Sequence, residues 1–243
     1  MSDLLAGEWL KLRTSRLLLV MAAAAVALST ASVAGAVLAA DTAELADPDT
    51  LREALSLTGT GALVVLLLGI VISAGEHRHG TAADTYLTTP RRTRVLAAKV
   101  ATGAAVGLTV GTAMALAGAG FVAHAYDAKG VTVPVEGTEM ATTMLGIAVY
   151  TTLFGVVGVA LGALVRRQVL AVSLALGWVA AVEHAVIGLV PDVGRFSPTL
   201  AGQALVRTPL DTILAPHTGG LALAAYAAAL VAAAAHITRT RDI

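Results

Sequence analysis

Cysteine is absent from the 243-residue chain, so no disulfide framework, thiolate zinc site or thiol nucleophile is available to it. Charge is scarce too: Asp, Glu, Lys and Arg make up 13% of the residues, against roughly a quarter in an ordinary soluble domain. A soluble protein of this length can bury a good core, but it still needs a charged exterior that this chain does not supply. Formal net charge is zero, which argues against nucleic acid as a partner. Catalytic signatures are missing as well. There is no G-x-x-x-x-G-K-S/T loop to cradle ATP phosphates, no H-E-x-x-H pair and no G-x-S-x-G elbow. These absences exclude an ATPase, a zincin and an α/β-hydrolase on this chain. No metal or other cofactor is expected on it.

What the chain has instead is apolar length. Hydrophobic residues make up 57% of it, with mean hydropathy +0.81, and they recur along the whole sequence. A helix needs about 20 apolar residues to cross roughly 30 Å of hydrocarbon. Six segments qualify: Leu17 to Ala40, Thr58 to Gly75, Val100 to Tyr126, Glu139 to Val165, Gln168 to Val190 and Gly219 to Ile237. Helix is the form expected, because single strands leave backbone groups unpaired in lipid. The first apolar run is 24 residues long, beyond the roughly 7–15 of a signal-peptide core, and reads as a retained anchor.

Orientation follows from the flanking cations. With the N-terminus inside, the inner segments hold Lys11, Arg13, Arg16, Arg78, Arg91, Arg92, Arg94, Lys99, Arg166, Arg167, Arg239 and Arg241. The outer segments hold Arg52, Lys129, Arg195 and Arg207. Twelve against four is a positive-inside bias that predicts both termini in the cytoplasm.

Small residues suggest how spans pack. Gly103, Gly107 and Gly111 repeat every four residues along the third span, continued by Ala115 and Ala119. Such spacing lets helix backbones approach closely where lipid offers no hydrophobic drive. Gly158 and Gly162 repeat it in the fourth span, where the general abundance of glycine and alanine is an equal explanation.

Between the spans, four segments carry information. In residues 1–16, Leu5, Trp9 and Leu12 fall on one helical face, which fits either a helix lying in the interface or a plain basic flank. Residues 76–99 form the longest inner loop, with Gly80 and Pro90 bracketing one or two helical turns before the basic run Arg91, Arg92 and Arg94. That run either holds the loop inside or docks a cytoplasmic partner. Glu76, His77 and His79 do not make a metal site, since ligands at i and i+2 diverge on a helix and no second cluster completes a shell. Residues 191–218 carry four prolines among apolar residues, too apolar for a free loop and too interrupted for a span. Short re-entrant or interfacial helices are expected there. Residues 239–243 form a short basic stop.

One carboxylate falls inside a span. Glu183, followed by His184, lies about two-thirds of the way outward along the fifth. Such a group costs a few kcal/mol at bilayer depth unless paired or wetted. It either lines a cavity, pairs across a subunit interface, or snorkels to the outer headgroups.

In order along the chain, Glu8-Trp9-Leu10-Lys11-Leu12-Arg13-Thr14, Glu76-His77-Arg78-His79-Gly80-Thr81, Pro90-Arg91-Arg92, Ala97-Ala98-Lys99, Leu161 to Gln168, Glu183 and Arg241-Asp242-Ile243 resemble the ABC-2 type permeases. These are the transmembrane subunits of bacterial ATP-binding cassette exporters. The resemblance covers nearly the whole chain as one transmembrane domain, 1–243. It implies an all-α integral membrane fold with six spans, an N-terminal interfacial helix and re-entrant helices between spans five and six. It further implies that Glu76, Arg78, Gly80, Thr81, Pro90, Arg91, Arg92, Arg94 and Lys99 belong to a coupling loop meeting a separate cytoplasmic ATPase, which would hold ATP and magnesium. A second permease copy or a related chain would complete the translocation path in a bacterial plasma membrane. Arginine and alanine usage fits a GC-rich genome. A stand-alone channel, a secondary transporter or an immunity-type membrane protein is the competing expectation.

Overall fold

The computed structural model describes residues 7–10, 12, 14–79, 92–210 and 212–240, with the side chains of 76–79 left aside. Among these residues there is helix and turn but no strand. Residues 7–10, 12 and 14 are helical. The chain then breaks at Ser15, whose extended backbone and hydroxyl cap the N–H of Leu18 at 3.5 Å. The first span, α1 (Arg16–Ala39), starts there. A surface helix, α2 (Pro48–Ser56), leads through a turn at Leu57 and Thr58 into the second span, α3 (Gly59–His79). The third span is α4 (Arg92–Lys129) and the fourth α5 (Gly137–Val165). The fifth span is composite: α6 (Gln168–Gly177), a π-helical turn (Trp178–Glu183) and α7 (His184–Leu189). Two short helices, α8 (Pro191–Gly194) and α9 (Pro198–Leu205), precede the last span, α10 (Pro216–Thr240). Each of these three starts on proline, whose missing N–H costs nothing at a helix start.

Six of these helical segments are long and apolar enough to cross a bilayer, the architecture of a multi-pass membrane protein. The expected span limits hold to within a few residues except in the third. There the helix begins at Arg92, eight residues before the apolar run, and at 38 residues is about 57 Å long, well beyond the hydrocarbon thickness.

Spans two, three and four form the centre, and the glycine rows explain how. A Cβ at Gly107 would lie 2.5 Å from the carbonyl oxygen of Thr151, and one at Gly103 would lie 2.6 Å from Cγ2 of Val159. At Gly111 it would fall on the Thr151 hydroxyl. The third-span row therefore faces α5, as its spacing predicts. The fourth-span pair is also a contact surface: Gly158 abuts the carbonyl of Leu66, and a Cβ at Gly162 would meet the Ile70 oxygen at 2.8 Å. Two further glycines, Gly69 and Gly155, complete the three-helix seam. Ala115 is buried and Ala119 half-buried farther along α4.

The outer spans pack less closely. In span four, 61% of the most apolar stretch is buried, but only 17% in each of spans one, five and six. Leu170, Leu174, Leu176 and Val182 of span five lie exposed, a surface suited to lipid or to another chain.

Both ends of the bundle are tied. At one end Ser73, Val95, Ala163, Arg166 and Thr238 converge, which groups Arg92, Arg94, Arg166, Arg167 and Arg239 at a single arginine-rich end. At the opposite end, Lys129 donates from Nζ to the carbonyls of Val37 and Ala40 at 3.0 and 2.7 Å, capping α1 with a cation. There Arg52 of α2 also holds Glu139 of α5 through two parallel bonds of 2.7 and 3.1 Å, and reaches Asp49 at 2.7 Å.

Candidate functional site

Helix α9 is the unusual element. Gly202 packs directly on the ring of Tyr150, Leu205 presents its carbonyl to Gly146, and a Cβ at Gly219 would lie 2.6 Å from the Ala201 oxygen. Tyr150 is fifteen residues from the end of α5 at Val165, about 22 Å along the helix. Hence α9 dips into the bundle instead of lying across its end. Short helices are present where re-entrant or interfacial ones were expected, and Ala201, Gly202 and Ala204 of α9 are buried against the bundle.

A buried helix start leaves backbone N–H groups without partners. Ser197, at the N-cap of α9, makes no capping bond from its side chain. Glu183 supplies the acceptor instead: its Oε1 takes the N–H of Thr199 at 3.4 Å and the indole N–H of Trp178 at 3.2 Å. The carboxyl group also sits at the positive end of the α9 dipole, which favours its ionised form. Glu183 lies fifteen residues into span five, at the depth of Tyr150, and is only 2% exposed. That removes the snorkelling alternative, because the side chain points inward and is held there.

The π-helical turn makes this possible. On an α-helix, residues five apart stand about 140° from each other. The wider i→i+5 turn of Trp178–Glu183 brings both side chains to one face, so that indole and carboxylate meet. His184 faces the other way, exposed, with Nδ1 2.9 Å from the carbonyl of Val179.

Beside Glu183 lies a cavity of about 400 Å³ bordered by spans two, four, five and six and by Pro198 of α9, and open to the outside where Leu174 and Trp178 are exposed. Its wall is apolar, including Leu66, Phe154, Leu174 and Leu230, with two aromatic residues, Trp178 and Tyr226. Glu183 is the one charged residue in the lining. No lysine or arginine forms an ion pair with it among the described residues. No cluster of metal-ligating side chains occurs among those residues either.

The other expected site residues distribute differently. Glu76 and Arg78 are on the last turn of α3, with side chains outside the described residues, as are Gly80, Thr81, Pro90 and Arg91 entirely. Arg92 is half-buried and Arg94 exposed on the first turn of α4. Lys99 departs from the loop reading: it is buried two turns into α4, where Nζ donates to the Ile72 carbonyl at 3.3 Å and pairs with Glu8 at 3.6 Å. This buried pair joins the N-terminal helical segment to the third span, and the sequence reading missed it. Leu5 is outside the described residues. Trp9 is exposed and Leu12 half-buried, which leaves an apolar face available to lipid.

Fold and site together define a multi-pass α-helical membrane protein with one buried carboxylate at an intramembrane cavity. Comparison with family models and with curated proteins found no match.

Proposed function

We propose that the chain is the permease subunit of an ATP-driven exporter, building the translocation path while a separate cytoplasmic ATPase binds and hydrolyses ATP with magnesium. The observation that carries this is the order of motif-bearing segments along a six-span chain: acidic–basic opening, Glu76–Thr81, the arginine run, the Arg166–Arg167 turn, and Glu183. The missing phosphate-binding loop fits energy supplied by another chain. In this reading the arginine-rich end faces the cytoplasm, and residues 76–94 contact the ATPase. Two permeases enclose the path through the exposed faces of the outer spans. Closure of two ATPases would drive the coupling segments together and rock the bundles between inward and outward access.

Affinity purification of the tagged chain from its native membrane in mild detergent tests this. The expected result is a stoichiometric ATPase carrying a Walker loop. A chain that purifies alone, under conditions preserving a known complex of this type, overturns it. With the ATPase in hand, replacing Arg91, Arg92 and Arg94 by alanine is expected to reduce stimulated ATP hydrolysis without preventing insertion. Unchanged coupling would count against the docking role.

The cavity with Glu183 favours one competing reading, a secondary transporter acting alone, because intramembrane carboxylates mark substrate and ion pathways. It requires uptake by proteoliposomes containing only this chain, without ATP.

A further inference from the structure

We infer that the cavity beside Glu183 binds a lipophilic cation: an apolar, drug-sized body bearing one positive centre. That binding depends on the cavity alone; calling the ligand a transported substrate rests on the export reading above.

Volume, wall and charge each narrow the ligand. About 400 Å³ lies within the roughly 300–1,000 Å³ of small-molecule pockets. The apolar wall from Leu66, Phe154, Leu174 and Leu230 rewards a hydrocarbon or aromatic body. Trp178 and Tyr226 add aromatic rings to the lining, a residue type that attracts cations. Glu183 decides the sign. Its two hydrogen bonds both come from neutral N–H donors, and no cationic side chain pairs with it among the described residues. A buried carboxylate is stabilised by an opposite charge, and a bound cation supplies one. A neutral ligand of equal size leaves that charge without a counter-ion, and an anion meets repulsion at close range.

Capping α9 is a purely structural job for the same carboxylate, and the two roles are separable. In Glu183→Gln the side-chain oxygen still accepts from Trp178 and Thr199, while the negative charge is gone. The cap survives and cation recognition does not.

The chain has two tryptophans, so Trp9→Phe leaves Trp178, in the cavity wall, as the sole indole reporter. The purified Trp9→Phe protein is titrated with tetraphenylphosphonium while Trp178 emission is followed. Saturable change is expected, weakened roughly tenfold or more by Glu183→Gln, since loss of one ionic contact to a buried carboxylate is worth at least that. Tetraphenylborate, of similar shape and opposite sign, is expected to bind far more weakly. Equal affinity in Glu183→Gln, or equal binding of the borate, overturns the inference and leaves an unselective apolar pocket. Should Glu183→Gln fail to elute as a folded species, Ala229→Phe fills the cavity without touching Glu183. It too should lose the phosphonium response, and full retention would overturn the assignment. No ATPase is present, so failure here leaves the exporter reading intact. Success with a chain that never associates with an ATPase would assign the cavity to a solitary carrier.

Discussion

At position 8 a carboxylate meets Lys99 across the boundary between the N-terminal segment and the third span, and both groups are withdrawn from water. Removing one member of such a contact costs about 1–3 kcal/mol. Glu8→Ala is therefore expected to lower the thermal midpoint of the purified protein, and Glu8→Ala with Lys99→Met to recover part of the loss. Additive effects in that double-mutant cycle would mean the pair is not coupled. Glycines divide just as sharply. Gly107→Ala drives a methyl into the Thr151 carbonyl and is expected to cost about 1–3 kcal/mol, as overpacking does. On the same helix Gly120→Ala meets nothing within 4 Å, and should be neutral or gain up to about 1 kcal/mol of helix propensity. Parallel thermal melts of the two variants check this. The row containing Gly107 could be read from spacing alone, because only small residues at every fourth position let backbones touch. Its partner could not, since glycine specifies closeness and not what approaches. Lys99 was misassigned for a related reason: it follows three arginines closely, and linear proximity hid the helix that carries it inward.

Among elements, the six spans were visible because apolar length is a property of composition that lipid demands. Helix α9 was foreseeable in kind from prolines spaced through apolar sequence, and its depth only from contacts. The π-helical turn was not legible at all. Nothing in Trp178-Val179-Ala180-Ala181-Val182-Glu183 marks an i→i+5 turn, and the turn coincides with contacts of Glu183 to Trp178 and to α9 that lie outside local sequence pattern. Deleting Ala181 would return this stretch to an i→i+4 register, with Trp178 and Glu183 four apart and about 40° from each other, so indole and carboxylate stay on one face. A retained tetraphenylphosphonium response is the expected readout, with a lost response showing that the site needs the wider turn itself. At the opposite end, the doubly bonded Arg52–Glu139 contact pins α2 to the start of α5. Both side chains are partly exposed, so a double-mutant cycle should return no more than about 1 kcal/mol.

For the whole molecule, orientation is open to a direct chemical test, and the lack of cysteine makes it simple. Thr132→Cys, between spans three and four, is expected to react with an impermeant maleimide in intact cells. Thr240→Cys, at the arginine-rich end, should react only after permeabilisation; the reverse pattern would invert the topology. The glycine seam carries a consequence for motion. Where the backbones of α3, α4 and α5 touch, there are no side chains to change rotamer and take up a shift, so these three spans move as one block. In the export reading they are the stator of the molecule. Spans one, five and six bury only 17% of their most apolar stretches, and in that reading they are the parts expected to turn against it. The cavity lies on that dividing line, walled by stator on one side and rotor on the other, so any stroke of spans five and six changes its volume.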